Sequence, residues 1–210
     1  MIKTVKLTNF FGFKEEVVNL HKRTNLLVGI NGSGKSNLLK AIQLLKVGVE
    51  GNANDTALKY LIISKWGGFD NIYCKSRGDS NFKNSIGLEF IFDGDILSEY
   101  GPYEFRGDVT YKIILLRKGS TDNYSISESI ALDSGFQFLN FINGSGRVQE
   151  RLGDGEVRPV QYDDYDSQEL VLSKISDFDR DRYLPLVLVK NAIKDIAVYN
   201  YFDTTAESKI

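Results

Sequence analysis

The sequence predicts an α/β fold in which an antiparallel β-meander packs beside a strand–loop–helix unit, with two helices toward the C-terminus. Three stretches carry that prediction. A short apolar run, Asn25-Leu26-Leu27-Val28, leads through a glycine-rich segment into a helical pattern from Asn37 to Val47. Between residues 85 and 160 apolar side chains recur at every second position, separated by turn residues. From Asp166 the period returns to helical. The 210 residues read as one unit: a hairpin, strand and helix over 1–48, the meander over 85–160, and helices with a last strand over 166–202.

Met1 to Leu20 reads as two strands. Val5 and Leu7 alternate with Thr4, Lys6 and Thr8, and Val18 and Leu20 do the same beyond Phe10-Phe11-Gly12-Phe13, where Gly12 supplies a turn among aromatics. His21 to Thr24 links this hairpin to Asn25–Val28, whose unbroken apolar character is that of a buried parallel strand. The following helix has a wide apolar face of Leu38, Leu39, Ala41, Ile42 and Leu45, and a wet stripe of Lys40, Gln43 and Lys46. Gly48 is placed to stop it. Ala57 to Ser64 fits a short helix, although Tyr60 to Ile63 also fits a strand. Trp66-Gly67-Gly68-Phe69 is a turn with aromatic anchors, and Asp79 to Asn84 a polar loop.

The meander follows. Ile86, Leu88, Phe90 and Phe92 alternate up to Asp93-Gly94-Asp95, and Val109, Tyr111, Ile113 and Leu115 up to Lys118-Gly119. Tyr124, Ile126, Ile130 and Leu132 alternate with serines. Phe136, Phe138 and Ile142 come next, and a further hairpin turns at Gly153-Asp154-Gly155. Four or more strands are expected. Asp166 with Glu169 three residues on resembles a capping box before Leu170 to Ile175. Pro185 suits the first turn of a second helix with Leu186, Val189, Ile193 and Ile196 on one face, and Val198 to Phe202 starts another strand.

The glycine-rich segment, Gly29-Ile30-Asn31-Gly32-Ser33-Gly34-Lys35-Ser36, reads as G-x-x-x-x-G-K-[ST], the phosphate-binding P-loop. Its three glycines let the backbone turn tightly and approach an anion. The N–H groups then form a nest, and the helix that follows adds its positive end. Lys35 is expected to reach the β- and γ-phosphates, and the Ser36 hydroxyl to coordinate Mg²⁺. A bare strand–helix turn needs neither residue at those offsets. Asn143-Gly144-Ser145-Gly146 repeats part of the loop, but Arg147-Val148 follows and no helical pattern begins, so a β-turn is expected there. Asp93, closing Phe90-Ile91-Phe92, is the local candidate for a Walker B aspartate; its one-sided strand fits a plain strand end better.

Composition narrows the classes. Net charge is −2, which provides no global basic field for nucleic acid or an anionic membrane. One cysteine, Cys74, rules out an intrachain disulfide and suits a reducing cytosol, and it fits a packed thiol better than a nucleophile. One histidine, His21, argues against a His/Cys zinc site and against a histidine-based triad. No apolar run approaches a transmembrane length, and the N-terminus has no secretory pattern. A cytoplasmic protein without membrane contact is expected.

Asn9-Phe10-Phe11-Gly12-Phe13, the strand after it, and the loop from Gly29 to Asn37 resemble the N-terminal lobe of ABC-type ATPase heads of the RecF/SMC group, including RecF-like predicted AAA-family ATPases related to OLD proteins. The later order of meander, helices and strand is similar in layout. The resemblance implies that Gly29, Asn31, Gly32, Ser33, Gly34, Lys35, Ser36 and Asn37 bind ATP, with Lys35 in the catalytic role and Ser36 on Mg²⁺. It implies a head-to-head dimer sandwiching two ATP molecules, with DNA reached through the intact assembly. Two departures stand out. Phe11-Gly12 occupies a place where the family commonly has Arg-Ser, and no signature motif, Walker B Asp-Glu or switch His is visible. The chain therefore reads as the front half of a head that needs a C-terminal lobe for hydrolysis. Gln137, Gln149, Gln161 and Gln168 compete for the Q-loop role. A non-catalytic nucleotide-binding interaction module is the alternative. A small-molecule kinase is a third reading, which would need an arginine lid; Arg180 and Arg182 offer a thin one, and the long meander argues against it.

Overall fold

The hydrophobic alternation at the N-terminus folds as expected: β1 (Ile2–Phe10) and β2 (Phe13–Asn19) form an antiparallel hairpin closing at Phe10 and Phe13. In the computed structural model, residues 1–198 are described except 53, 55, 75–83, 154 and 177–179. The expected loop over Asp79 to Asn84 lies outside them save for Asn84, and the expected last strand save for Val198.

The meander has six strands: β3 (Ser85–Phe92), β4 (Val109–Arg117), β5 (Tyr124–Leu132), β6 (Gln137–Ile142), β7 (Ser145–Arg151) and β8 (Val157–Tyr162). Hairpin and meander are one sheet, because β1 pairs with β3 through register partners such as Val5 and Phe90. The strand order is β2-β1-β3-β4-β5-β6-β7-β8, antiparallel throughout. Its covered face carries Val5, Leu7, Leu88, Phe90, Tyr111, Ile113 and Ile130, all fully buried. In β6 Phe138 is buried as expected, together with Leu139 and Phe141, whereas Phe136 and Ile142 remain 43% and 60% exposed. A register shift between Ile130 and Ala131 breaks the simple alternation there. Asn143 and Gly144, both at positive φ, make the tight β6–β7 turn expected of the second Asn-Gly-Ser-Gly.

The helices lie against the covered face and each other. α1 (Lys35–Glu50) runs three residues past its expected end and is closed by Gly51. Gly48 is not its stop. It is buried inside the helix, where a Cβ would come within 2.6 Å of a Leu170 methyl and 3.0 Å of a Leu58 methyl. α2 (Ala57–Lys59) continues into a π-helical turn over Tyr60–Lys65, which resolves that stretch as helix, and α3 (Phe69–Ile72) follows the Gly67-Gly68 turn. α4 (Gly94–Ser98) occupies a stretch that reads as a turn in the sequence, and α5 is the single turn Val171–Lys174. α6 (Arg180–Lys194) is kinked at Tyr183, and Pro185 stands in the first turn of its longer part.

The expected capping box is also rewired. The Asp166 carboxylate accepts the Gln168 N–H (2.8 Å), while the buried Glu169 carboxylate caps α2 through the N–H groups of Leu58 (3.1 Å) and Lys59 (3.0 Å). The cap of α5 comes from the sheet: buried Glu128 of β5 accepts from Val171 N–H (2.5 Å) and Leu172 N–H (3.2 Å). A helix too short to stabilise itself is thereby tied to a central strand.

Candidate functional site

Residues 24–30 form no strand. This corrects the expected buried parallel strand at Asn25–Val28: Leu26, Val28 and Ile30 are 85%, 82% and 83% exposed. The reason is topological. The described sheet is antiparallel and its outer strand β2 pairs only with β1, so no parallel neighbour is present to cover the run. The apolar run is left without a sheet to enter.

The loop after it is formed. Gly32 and Gly34 have φ of 85° and 93°, the left-handed region that the motif's glycines provide. Gly34 is the N-cap of α1, and its carbonyl accepts from Asn37 N–H (2.9 Å) and Leu38 N–H (3.1 Å). Lys35 folds back over its own loop. Its ammonium donates to the carbonyls of Gly29 (2.6 Å) and Ile30 (2.8 Å) and to Ser33 Oγ (3.2 Å). Ser36 is exposed at the first turn, and Asn37 half-buried behind it. The motif's residues are thus brought together at the N-terminus of α1, where the Lys35 ammonium closes on the loop's own carbonyls. Such an arrangement can hold an oxyanion chemically.

The hairpin tip supports this loop. Phe13 lies against Gly34 so closely that a Cβ on Gly34 would sit 2.7 Å from the ring's Cζ. Gly12 faces the Asn37 amide, and the Lys40 ammonium stands 3.9 Å above the Phe11 ring. Phe11 makes edge contacts with Phe10 (centroids 4.8 Å apart) and Trp66 (5.5 Å). Asn9 anchors the turn from behind: its φ is 53°, its side chain donates to Ser85 O (3.1 Å), and its carbonyl accepts from Cys74 N–H (2.9 Å). Phe11 therefore occupies its unusual place as a packed aromatic. Long-range contacts of this kind leave no spacing signal, so neither Phe13 nor Lys40 could be picked as a loop neighbour from sequence.

The other candidates lie elsewhere or have other partners. Asp93 ends β3 as a helix cap: it accepts from Asp95 N–H (3.2 Å), and its other oxygen lies 2.9 Å from the Lys22 ammonium. That ammonium is the main cause holding the Asp93 carboxyl below its ordinary range. Gln137, Gln149 and Gln161 share a shallow cavity of about 380 Å³ over β6–β8, the end of the sheet opposite the hairpin in strand order. Gln168 starts the approach to α5. Arg182 binds the fully buried Glu150 through Nε (2.6 Å), and the Tyr183 hydroxyl donates to the same carboxylate (2.8 Å), so Arg182 does not form a lid. No helix among the described residues is long and apolar enough to cross a membrane.

Comparison with known proteins adds the family. The DNA replication and repair protein RecF of Cytophaga hutchinsonii is 26% identical over 208 residues, covering 89% of this chain and 54% of the relative. RecF of Gloeothece citriformis is 46% identical over 44 residues, 21% of this chain and 12% of the relative. The chain thus spans about half the length of the relative it matches most fully. A solved chain from a study of ATP-driven dimerization and DNA-stimulated activation of SMC ATPases shares 23% identity over 65% of this chain and 70% of its own, with a TM-score of 0.43. The family model described as an AAA ATPase domain matches residues 1–175. With its loop, hairpin and meander all inside that match, the chain belongs to the AAA ATPase domain family.

Proposed function

We propose that this chain is the ATP-binding front portion of a RecF/SMC-like ATPase, whose P-loop holds ATP-Mg²⁺ and whose hydrolysis requires a C-terminal lobe. The observation that carries the reading is the clasp of Lys35 on Gly29 O, Ile30 O and Ser33 Oγ. A lysine closed on its own loop's carbonyls marks the spot where a phosphate oxygen would compete for the same ammonium. The left-handed Gly32 and Gly34 and the exposed Ser36 hydroxyl fit a triphosphate with a hard cation. Family membership and the similarity to RecF across most of the chain support the same choice.

In this reading the backbone N–H groups from Asn31 to Ser36 cradle the phosphates. Lys35 neutralises them, Ser36 ligates Mg²⁺, and Asn37 backs the helix start. Bound ATP supplies the phosphoanhydride whose cleavage drives the cycle. In this reading the general base comes from the C-terminal lobe, so the chain alone binds ATP but turns it over slowly. The exposed edge of Leu26, Val28 and Ile30 supports the need for a second lobe, because it matches a strand to be buried by added parallel neighbours. Head-to-head pairing, and DNA acted on by the whole assembly, follow as proposals from the same resemblance. Titration calorimetry with ATP tests the reading: binding requires Mg²⁺ for full strength and is lost in Lys35→Ala. Equal binding by that variant would refute it. A purely interaction-type module would instead show ATP binding with no turnover even after a C-terminal lobe is supplied.

A further inference from the structure

We infer that Phe13, at the tip of the β1–β2 hairpin, is a positioning residue for the P-loop; this rests on the ATP-binding reading above. Gly34 is the hinge between loop and helix, and its φ of 93° strains any residue with a side chain. Gly34 O is held by Asn37 and Leu38 N–H, but its φ has no side chain of its own to fix it, because glycine populates either sign of φ with similar ease. Phe13 supplies the constraint. Its ring covers the Cα of Gly34, with Cζ and Cε1 2.7 and 2.8 Å from where a Cβ would stand. Rotating the Gly34 peptide redirects the N–H groups that precede Lys35, and the ring blocks that rotation on one side.

The ring is held in turn. Phe13 pairs with Phe10 across the hairpin, Phe10 is fully buried, and Asn9 fastens the turn to β3 through Ser85 O. The sheet thereby sets the aim of the loop donors through one aromatic contact. Phe13 itself is only half-buried, so its removal takes little from the core.

The test is a fluorescence titration of the full chain with N-methylanthraniloyl-ATP and Mg²⁺, beside thermal melting of each variant. Phe13→Ala is expected to weaken binding about tenfold, with a melting temperature lowered by no more than about 4 °C. Phe13→Tyr, which keeps the ring, is expected to restore binding to within twofold of the parent. Gly34→Ala is expected to cost less affinity in the Phe13→Ala background than in the parent, since the collision is gone although the φ strain persists. Parental affinity in Phe13→Ala, with binding still lost in Lys35→Ala, would overturn the inference and leave the ATP-binding reading intact. Affinity lost only together with a large fall in melting temperature, or not restored by Phe13→Tyr, would reduce Phe13 to a structural role. Parental binding by Lys35→Ala would remove the reading and the inference together.

Discussion

Glu128 makes the stability of this fold depend on pH in a direction opposite to that of most carboxylates. It is buried in β5, takes the Tyr111 hydroxyl (2.7 Å) on one oxygen, and caps α5 through Val171 and Leu172. Burial pushes its carboxyl up to about 7 from 4.5, against the three hydrogen bonds that favour the anion. Between those values the folded chain holds a proton that the unfolded chain releases. The contribution is therefore fully present below 4.5 and is lost as pH rises through about 7. The loss is on the order of 3 kcal/mol by pH 8. Glu128→Gln removes the titration while keeping the shape. The amide serves fewer of the backbone donors, which costs about 1–3 kcal/mol in acid. Melting both proteins from pH 4.5 to 8 should show the parent ahead in acid. The difference should move by on the order of 3 kcal/mol toward pH 8, or about 6–12 °C for a chain of this size, which erases or inverts that advantage. A difference that stays constant across the range would refute the titration argument. A variant penalised most at pH 8 would reverse its sign.

Gly48→Ala gains helix propensity but forces a methyl against Leu170 and Leu58, and overpacking of about 1–3 kcal/mol outweighs the gain. A lower denaturation midpoint is expected, and a higher one would show that the two leucines give way. Glu169→Ala strips the caps from Leu58 and Lys59 N–H and should cost about 1–2 kcal/mol by urea unfolding, with slower loss elsewhere in hydrogen exchange than over α2. Leu26→Lys with Val28→Lys changes exposed residues only, so the melting temperature of the chain alone should hold within the equivalent of about 0.5 kcal/mol. The same pair should abolish co-purification with a complementing C-terminal lobe; retained association would remove the strand-donation argument.

Period-two alternation was enough to read β3, β4 and β5, because each has one buried face and turn residues at its ends. In β6 it held for Phe138 but not for Phe136 and Ile142, because the register shift leaves those two out and brings Leu139 and Phe141 in. The P-loop was legible as a motif because its chemistry is local: glycine geometry, a lysine and a hydroxyl at fixed offsets. The strand before it was misread because an apolar run says that a surface wants covering, not that a neighbour is present. Glu128 was invisible as a cap, and Glu169 reads as the cap of the wrong helix, for the same reason, since both act on helices far away in sequence. The Asn-Phe-x-x-Phe element falls between the two cases. Its turn was readable, whereas the placing of Phe13 on Gly34 depends on how hairpin and helix meet in space.

A crystal structure of the chain grown with a non-hydrolysable ATP analogue and Mg²⁺ tests the central claim most directly. A triphosphate is expected against the loop of residues 29–36, with the Lys35 ammonium moved off the carbonyls of Gly29 and Ile30 onto phosphate oxygen, and Ser36 Oγ on the metal. An analogue bound elsewhere, or a loop with Lys35 still closed on those carbonyls at saturating analogue, would contradict it.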